Sequence, residues 1–200
     1  MTKFEIRYPQ GATPLDPNEM DGLIPTYIST QGELNSLERD NIVEALSWAG
    51  ERKHPDLLSA SFVFALHKKM FGRVWTWAGK MRQSGKNIGV PAEQIHTQLC
   101  ALFGDARYWI ENRTFPWDEI STRFHHRLVQ IHAFPNGNGR HARLMTDLLM
   151  EANGQERFSW GMSKCGSPIE TEGPTREEYI QALREADKSS FDRLIRFARS

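Results

Sequence analysis

Residues 131–143 read IHAFPNGNGRHAR, and this stretch decides the fold reading. Gly137, Asn138 and Gly139 stand directly before a run with helical periodicity. Glycine and asparagine tolerate left-handed backbone, so successive N–H groups can turn toward one point and form an anion nest. The N-terminus of a helix adds partial positive charge at the same place. Arg140 and Arg143 are three residues apart, so they project from neighbouring positions of the first turn. Their guanidinium forks match phosphate oxygens. His132 ends the preceding helical pattern and faces the loop; it is the side chain there that takes a proton near neutral pH. Taken singly, a Gly-Asn-Gly before a helix is a turn, and two helical arginines are a solvated face. Together, at this spacing, they describe a polyphosphate cradle beside a base. The GxxxxGK[ST] phosphate loop is absent, which excludes a P-loop protein.

The pattern extends outward as helices. Trp117, Ile120, Phe124, Leu128 and Ile131 predict a helix over 117–131, entered at Pro116. Ile95, Leu99, Leu102, Ala106 and Trp109 predict one over 93–112, and Phe62, Leu66 and Met70 one over 59–70. Leu37, Ile42, Val43, Leu46 and Ala49 mark a helix over 37–53, capped at Asn35 or Ser36 and ended by Pro55. Beyond the loop, a helix runs from Gly139 and stops before Gly154. Thr175 and Glu178 form a capping box for the next, and 190–198 is the last. Between 72 and 91, short runs bounded by Gly-Lys and Ser-Gly predict a small β-hairpin. Residues 1–35, with Pro9, Pro14, Pro17 and Pro25, read as an extended arm. The fold class is mainly α, with six or seven helices and one small β-hairpin; an arm over 1–35 precedes one domain over 36–200.

Composition narrows the function classes. A chain of 200 residues with 39% hydrophobic and 25% charged residues reads as one soluble globular domain. The 25 basic and 25 acidic residues cancel, which argues against a nucleic-acid partner. Cys100 and Cys165 are too few for a disulfide framework or a cysteine zinc site, so a reducing compartment is expected. MTKFEIRYPQ has no apolar run, so no signal peptide is expected. No 18-residue apolar stretch suggests a membrane span, and the expected location is cytoplasmic. His125, His126 and His132 lack a metal-ligand spacing; His126 is expected to pack and His141 to be exposed. Trp77 and Trp160 are candidates to line a nucleotide pocket, and Arg73, Lys80, Arg82 and Lys86 read as a solvated basic surface.

The stretch resembles the motif His-x-Phe-x-(Asp/Glu)-Gly-Asn-Gly-Arg-x-x-Arg of the Fic (Fido) family. LHKKMFGRVWTWAGKMR (66–82) is similar to the family's Trp-Ala-Gly stretch leading into its target-docking flap. FHHRLVQIHAF (124–134) is similar to the helix entering the motif, and the likeness spans about 37–198. The chain also resembles a bacterial subgroup called mobile mystery protein B, which accompanies a helix-turn-helix partner. The resemblance implies the Fic fold and transfer of AMP from ATP to a Ser, Thr or Tyr hydroxyl of a target protein, with Mg²⁺ or Mn²⁺. It implies catalytic roles for His132, the base, and for Asn136 and Arg140. It places the phosphates on Asn136, Gly137, Asn138, Gly139, Arg140 and Arg143, anchors the loop on Phe134, and puts the docking edge at Lys86, Asn87 and Ile88. Asn136 departs from the motif, because the family's acidic magnesium ligand is an amide here, which brings no charge. Relatives carry an inhibitory (Ser/Thr)-x-x-x-Glu-(Gly/Asn) helix whose glutamate meets the second arginine; Glu33 in STQGEL (29–34) is the nearest match. The alternative reading is a catalytically weak nucleotide-binding or partner-binding protein of a toxin–antitoxin-like pair, with an antitoxin as partner.

Overall fold

A computed structural model describes residues 8, 11–53, 55–162 and 169–200, and Cys165 lies outside them. Eight α-helices and no strand occur among the described residues. In chain order they are α1 (Pro17–Met20), α2 (Gln31–Gly50), α3 (Ala60–Phe71), α4 (Ile95–Asn112), α5 (Trp117–Ile131), α6 (Asn138–Ala152), α7 (Pro174–Ala186) and α8 (Asp192–Arg199). The mainly helical class and the seven longer helices match the sequence reading. The eighth, α1, is a single turn within the arm, started by the Asp16 cap and Pro17 at the first helical position.

At the starts of α2 and α7 the cap differs from the one the sequence reading gave. α2 begins at Gln31 rather than 37. The Thr30 hydroxyl accepts the Glu33 N–H at 3.2 Å, and the Glu33 carboxylate accepts the Thr30 and Ser29 N–H groups at 3.0 and 2.8 Å. This reciprocal pair nucleates the helix two turns upstream of the apolar stripe. α7 begins at Pro174 after Gly173, so Thr175 is a buried helical residue and not a cap. At the far end of α6 the chain turns at Gly154 (φ 70°), the position expected of a terminating glycine.

α3, α4, α5 and α6 enclose the main core, built on Val63, Leu66, Met70, Leu99, Leu102, Phe124 and Met145. Burying such side chains is the main favourable term in folding. A second cluster joins the end of α6 to α7 and α8 through Met150, Trp160, Tyr179, Leu194 and Phe197. His141 is buried here, against expectation: its Nε2 meets the Val63 carbonyl at 3.0 Å and ties α6 to α3. Trp77 and Trp160 are also structural, their indole N–H groups donating to Glu19 O at 2.9 Å and to Asp147 Oδ1 at 3.1 Å.

The expected hairpin over 72–91 is corrected: this segment is irregular, and the described chain shows only an isolated bridge, Leu23 to Trp75. The bridge, with Ile24 N–H to Val74 O and Thr76 N–H to Gly22 O, pairs the segment with the arm and not with itself. Further along, Arg82 displaces any ladder. Its backbone N–H donates to Ala133 O at 3.0 Å. Its guanidinium donates to His132 O at 2.6 Å, to Ser84 O at 2.8 Å and to Val90 O. A buried cation that satisfies three carbonyls replaces the cross-strand bonds a hairpin needs. Arg82 is therefore not a solvated residue.

Candidate functional site

The 132–138 loop closes on its own side chains. α5 ends where His132 adopts left-handed backbone (φ 53°, ψ 58°). The Asn138 side chain accepts the Phe134 N–H at 2.9 Å and donates to Phe134 O at 2.7 Å, bracketing the turn. Gly137 has φ 78°, and a Cβ there would lie 2.6 Å from the Phe71 ring, so conformation and space both demand glycine. Phe134 is buried with its ring stacked on His67 at 3.6 Å between centroids. His67 Nδ1 accepts the Gly79 N–H at 3.0 Å. The proton therefore sits on Nε2, which donates to Asn136 O at 3.0 Å. Burial holds this imidazole well below its usual range, and so neutral.

His132 is 5% exposed, and neither ring nitrogen has a hydrogen-bond partner among the described residues. Burial, and then the nearby Arg82 cation, push its pKa down to about 4. The ring is neutral at pH 7 and free to receive a proton. Arg140 Nη1 contacts Glu38 Oε2 at 2.6 Å, while Glu38 Oε1 accepts the Trp75 indole N–H at 2.7 Å. Arg143 pairs with Glu170 and lies 5.7 Å from the Tyr179 ring centroid. Both arginines thus already hold an oxygen anion.

His132, Asn136, Gly137, Asn138, Gly139, Arg140 and Arg143 all line one cavity of 260 Å³. Ile88 lines it as well, and Asn87 is exposed. The Lys86 side chain is 3% exposed and bound to Asp16 at 2.9 Å and Glu19 at 2.5 Å, which corrects its reading as solvated. Glu33 sits in the α2 cap; the carboxylates that meet the arginines are Glu38 and Glu170. The sequence reading passed over both of these. For Glu38 a signal existed: it shares the buried face of α2 with Leu34, Asn41 and Ala45 at helical spacing, an unusual place for an unpaired charge. Glu170 and Arg82 act through partners far along the chain and leave no local pattern.

The described residues do not make a metal site. Among the described residues no three His, Cys, Asp or Glu side chains cluster. Asn136 is the loop's one candidate ligand. Its Oδ1 accepts the Gly137 N–H at 2.6 Å and its Nδ2 donates to Thr13 O at 3.3 Å. Magnesium favours carboxylate oxygens in a near-ideal octahedron.

Residues 57–150 match the Fic/DOC family. The chain is 28% identical over 148 residues to protein adenylyltransferase fic-1 of Caenorhabditis briggsae, covering 70% of this chain and 26% of that protein. The Caenorhabditis elegans protein of the same name is 28% identical over 153 residues, 72% of this chain and 27% of that one. The match thus spans about a quarter of the length of these curated relatives. A structure of Fic-1 from C. elegans superposes with a TM-score of 0.62 at 24% identity, over 89% of this chain and 50% of the other. The BepC effector of Bartonella tribocorum with bound AMPPNP superposes with a TM-score of 0.65 at 17% identity, over 92% and 97%. These superpositions establish the shared fold. The matches reach the Fic family and do not single out the mobile mystery protein B subgroup. No described helix is long and apolar enough to cross a membrane.

Proposed function

We propose that this chain is a protein nucleotidyltransferase that moves AMP from ATP to a Ser, Thr or Tyr hydroxyl. The observation that carries the reading is His132: a buried, neutral imidazole without a hydrogen-bond partner, in one cavity with a glycine nest and two arginines. The adenylyltransferase names of the fic-1 relatives and the AMPPNP bound to BepC agree with it.

In the proposed reaction the acceptor oxygen attacks the α-phosphorus and its proton passes to a ring nitrogen of His132. The bond to the β-phosphate bridging oxygen breaks and pyrophosphate leaves. The Gly137–Gly139 backbone and Arg140 and Arg143 hold the phosphates, the arginines exchanging Glu38 and Glu170 for phosphate oxygens. Positioning and electrostatic stabilisation supply most of the acceleration in such transfers. With no carboxylate on the loop, a divalent ion, Mg²⁺ or Mn²⁺, would arrive on the triphosphate and would not occupy a site built by the chain. No step is assigned to it. A target strand would dock by backbone pairing along Lys86, Asn87 and Ile88.

A second reading, nucleotide or partner binding with weak turnover in a toxin–antitoxin-like pair, is favoured by Asn136 and by the two occupied arginines. One experiment separates the two. ATP labelled at the α- or the γ-phosphate is incubated with the protein and a bacterial lysate, with Mg²⁺ and then with Mn²⁺. Transfer of the α-label alone, reduced about 10²–10⁴-fold or more in His132→Ala, is the expected result. A γ-label would make the protein a kinase-like variant. ATP binding without any transfer would favour the second reading.

A further inference from the structure

His67 on α3 links two distant segments through its two ring nitrogens. It is fully buried among aromatic rings: the Phe134 ring lies 3.6 Å away between centroids at 16°, and the Phe71 ring 4.8 Å away. An apolar ring would fill this place without burying two polar atoms, so packing alone does not account for a histidine. The two nitrogens do. A backbone N–H only donates and a carbonyl only accepts. Gly79 N–H on Nδ1 and Asn136 O on Nε2, each at 3.0 Å, therefore admit one neutral tautomer, with the proton on Nε2. Gly79 comes this close because it is glycine: it has φ 75°, and a Cβ there would lie 2.6 Å from Lys68 Cβ and 2.8 Å from Phe64 O. At the other nitrogen, Asn136 O lies one step outside the helical ladder of α6, in which Gly137 O accepts the His141 N–H at 2.9 Å. Across a trans peptide the C=O and the N–H point opposite ways. Holding Asn136 O on the α3 side therefore turns the Gly137 N–H away from α3. An oxygen already meets it there: Asn136 Oδ1, at 2.6 Å, from a residue that lines the cavity with His132 and both arginines.

We propose that His67 is a positioning residue for the anion nest, aiming the Gly137 N–H at the place a phosphate oxygen takes when Asn136 Oδ1 yields it. The proposal rests on the transferase reading above only for the identity of the anion. Through the same ring the nest is tied to Gly79, at the head of the 80–90 segment.

The test uses the full chain and two amides that divide the functions of the ring. His67→Gln keeps an N–H at the reach of Nε2 and gives up the acceptor for Gly79. His67→Asn keeps an acceptor near Nδ1 and gives up the N–H for Asn136 O. Both lose the stack on Phe134, so thermal unfolding should show similar losses of stability. Calorimetric titration with ATP and Mg²⁺, and with tripolyphosphate, should show His67→Asn binding each about tenfold more weakly than the native chain, and His67→Gln within about twofold of it. Equal weakening in both variants would overturn the proposal, because it would track the lost packing, and so would unchanged binding in His67→Asn. Nitrogen-15 spectra of the native chain test it without substitution: the His67 proton is expected on Nε2, and a proton on Nδ1 would overturn it. Transfer of the α-label is followed in parallel. Binding that separates the two variants, with no transfer by the native chain, would remove the transferase reading and leave the positioning role standing. A native chain that binds neither ligand would remove the positioning role.

Discussion

The loop over 132–137 and the segment over 80–90 both lack regular structure, but one is closed by the Asn138 side chain at its end and the other is held by a guanidinium reaching across the fold. In the loop, Asn138 binds both polar groups of Phe134, four residues away. In the segment, Arg82 binds Ser84 and Val90 nearby but is anchored to His132, fifty residues along the chain. The two meet there, because the carbonyl that Arg82 holds belongs to the residue whose imidazole is free. The proposed base is therefore held by a residue outside the motif.

The largest expected effect tests that dependence. Arg82→Met orphans three carbonyls and should cost about 4 kcal/mol, taking charge-assisted bonds at about 1.5–3 kcal/mol each with partial relaxation. Urea unfolding with an unchanged m-value would read it. A cost under about 1 kcal/mol would mean that the segment holds itself and the contrast fails.

Acid tests the buried imidazoles. Burial lowers His125 to about 3 and His132 and His141 to about 4. Unfolded, they titrate near about 6.5. The unfolded chain then binds more protons, so stability is full above about pH 6.5 and is lost as pH falls toward 4. Asp147 opposes this, since burial raises its carboxyl to about 6 and makes the folded state the better proton binder below that. His67, also held neutral by burial, adds to the three, so the histidines outweigh Asp147 and stability falls as pH drops through 5. Chemical denaturation at a series of pH values would show it, and a flat profile would mean that these rings are not held neutral by burial.

Asn138→Ala probes the self-closing loop. It leaves a buried N–H and a buried C=O unpaired, at a cost of about 2 kcal/mol, and should weaken ATP binding at the same time. Loss of stability with binding intact would separate the bracket from the anion nest. The smallest effect is at the α2 cap. Thr30→Ala should cost about 1 kcal/mol by thermal unfolding. Glu33→Gly should lower the melting temperature without raising self-labelling, because Glu33 binds the Ser29 and Thr30 N–H groups and Arg143 is met by Glu170. A several-fold rise in labelling would restore an inhibitory role to Glu33.

The helices were legible because apolar spacing and caps act over one or two turns. Phe62, Leu66 and Met70 mark α3, and Ile95, Leu99 and Leu102 mark α4, as the buried faces show. The misreadings cluster where a long-range partner overrides local pattern. Gly-Lys and Ser-Gly pairs around 80–85 are hairpin punctuation until Arg82 finds carbonyls on another element. Lys86 reads as solvated until Asp16 and Glu19 enclose it. His141 reads as exposed between two arginines until the Val63 carbonyl takes its ring.

By itself the sequence determined a mainly helical chain and a loop shaped for an anion, with a histidine and two arginines gathered around it. Those features follow from left-handed tolerance at Gly137, from helical spacing and from side chains within four residues of one another. The tertiary structure alone decided that His132 is buried and without a partner, that Glu38 and Glu170 occupy the arginines, and that His67 holds the Asn136 carbonyl. Each depends on burial and on contacts between distant residues. Burial sets both the protonation of an imidazole and the cost of an unpaired ring nitrogen, and no local spacing encodes it.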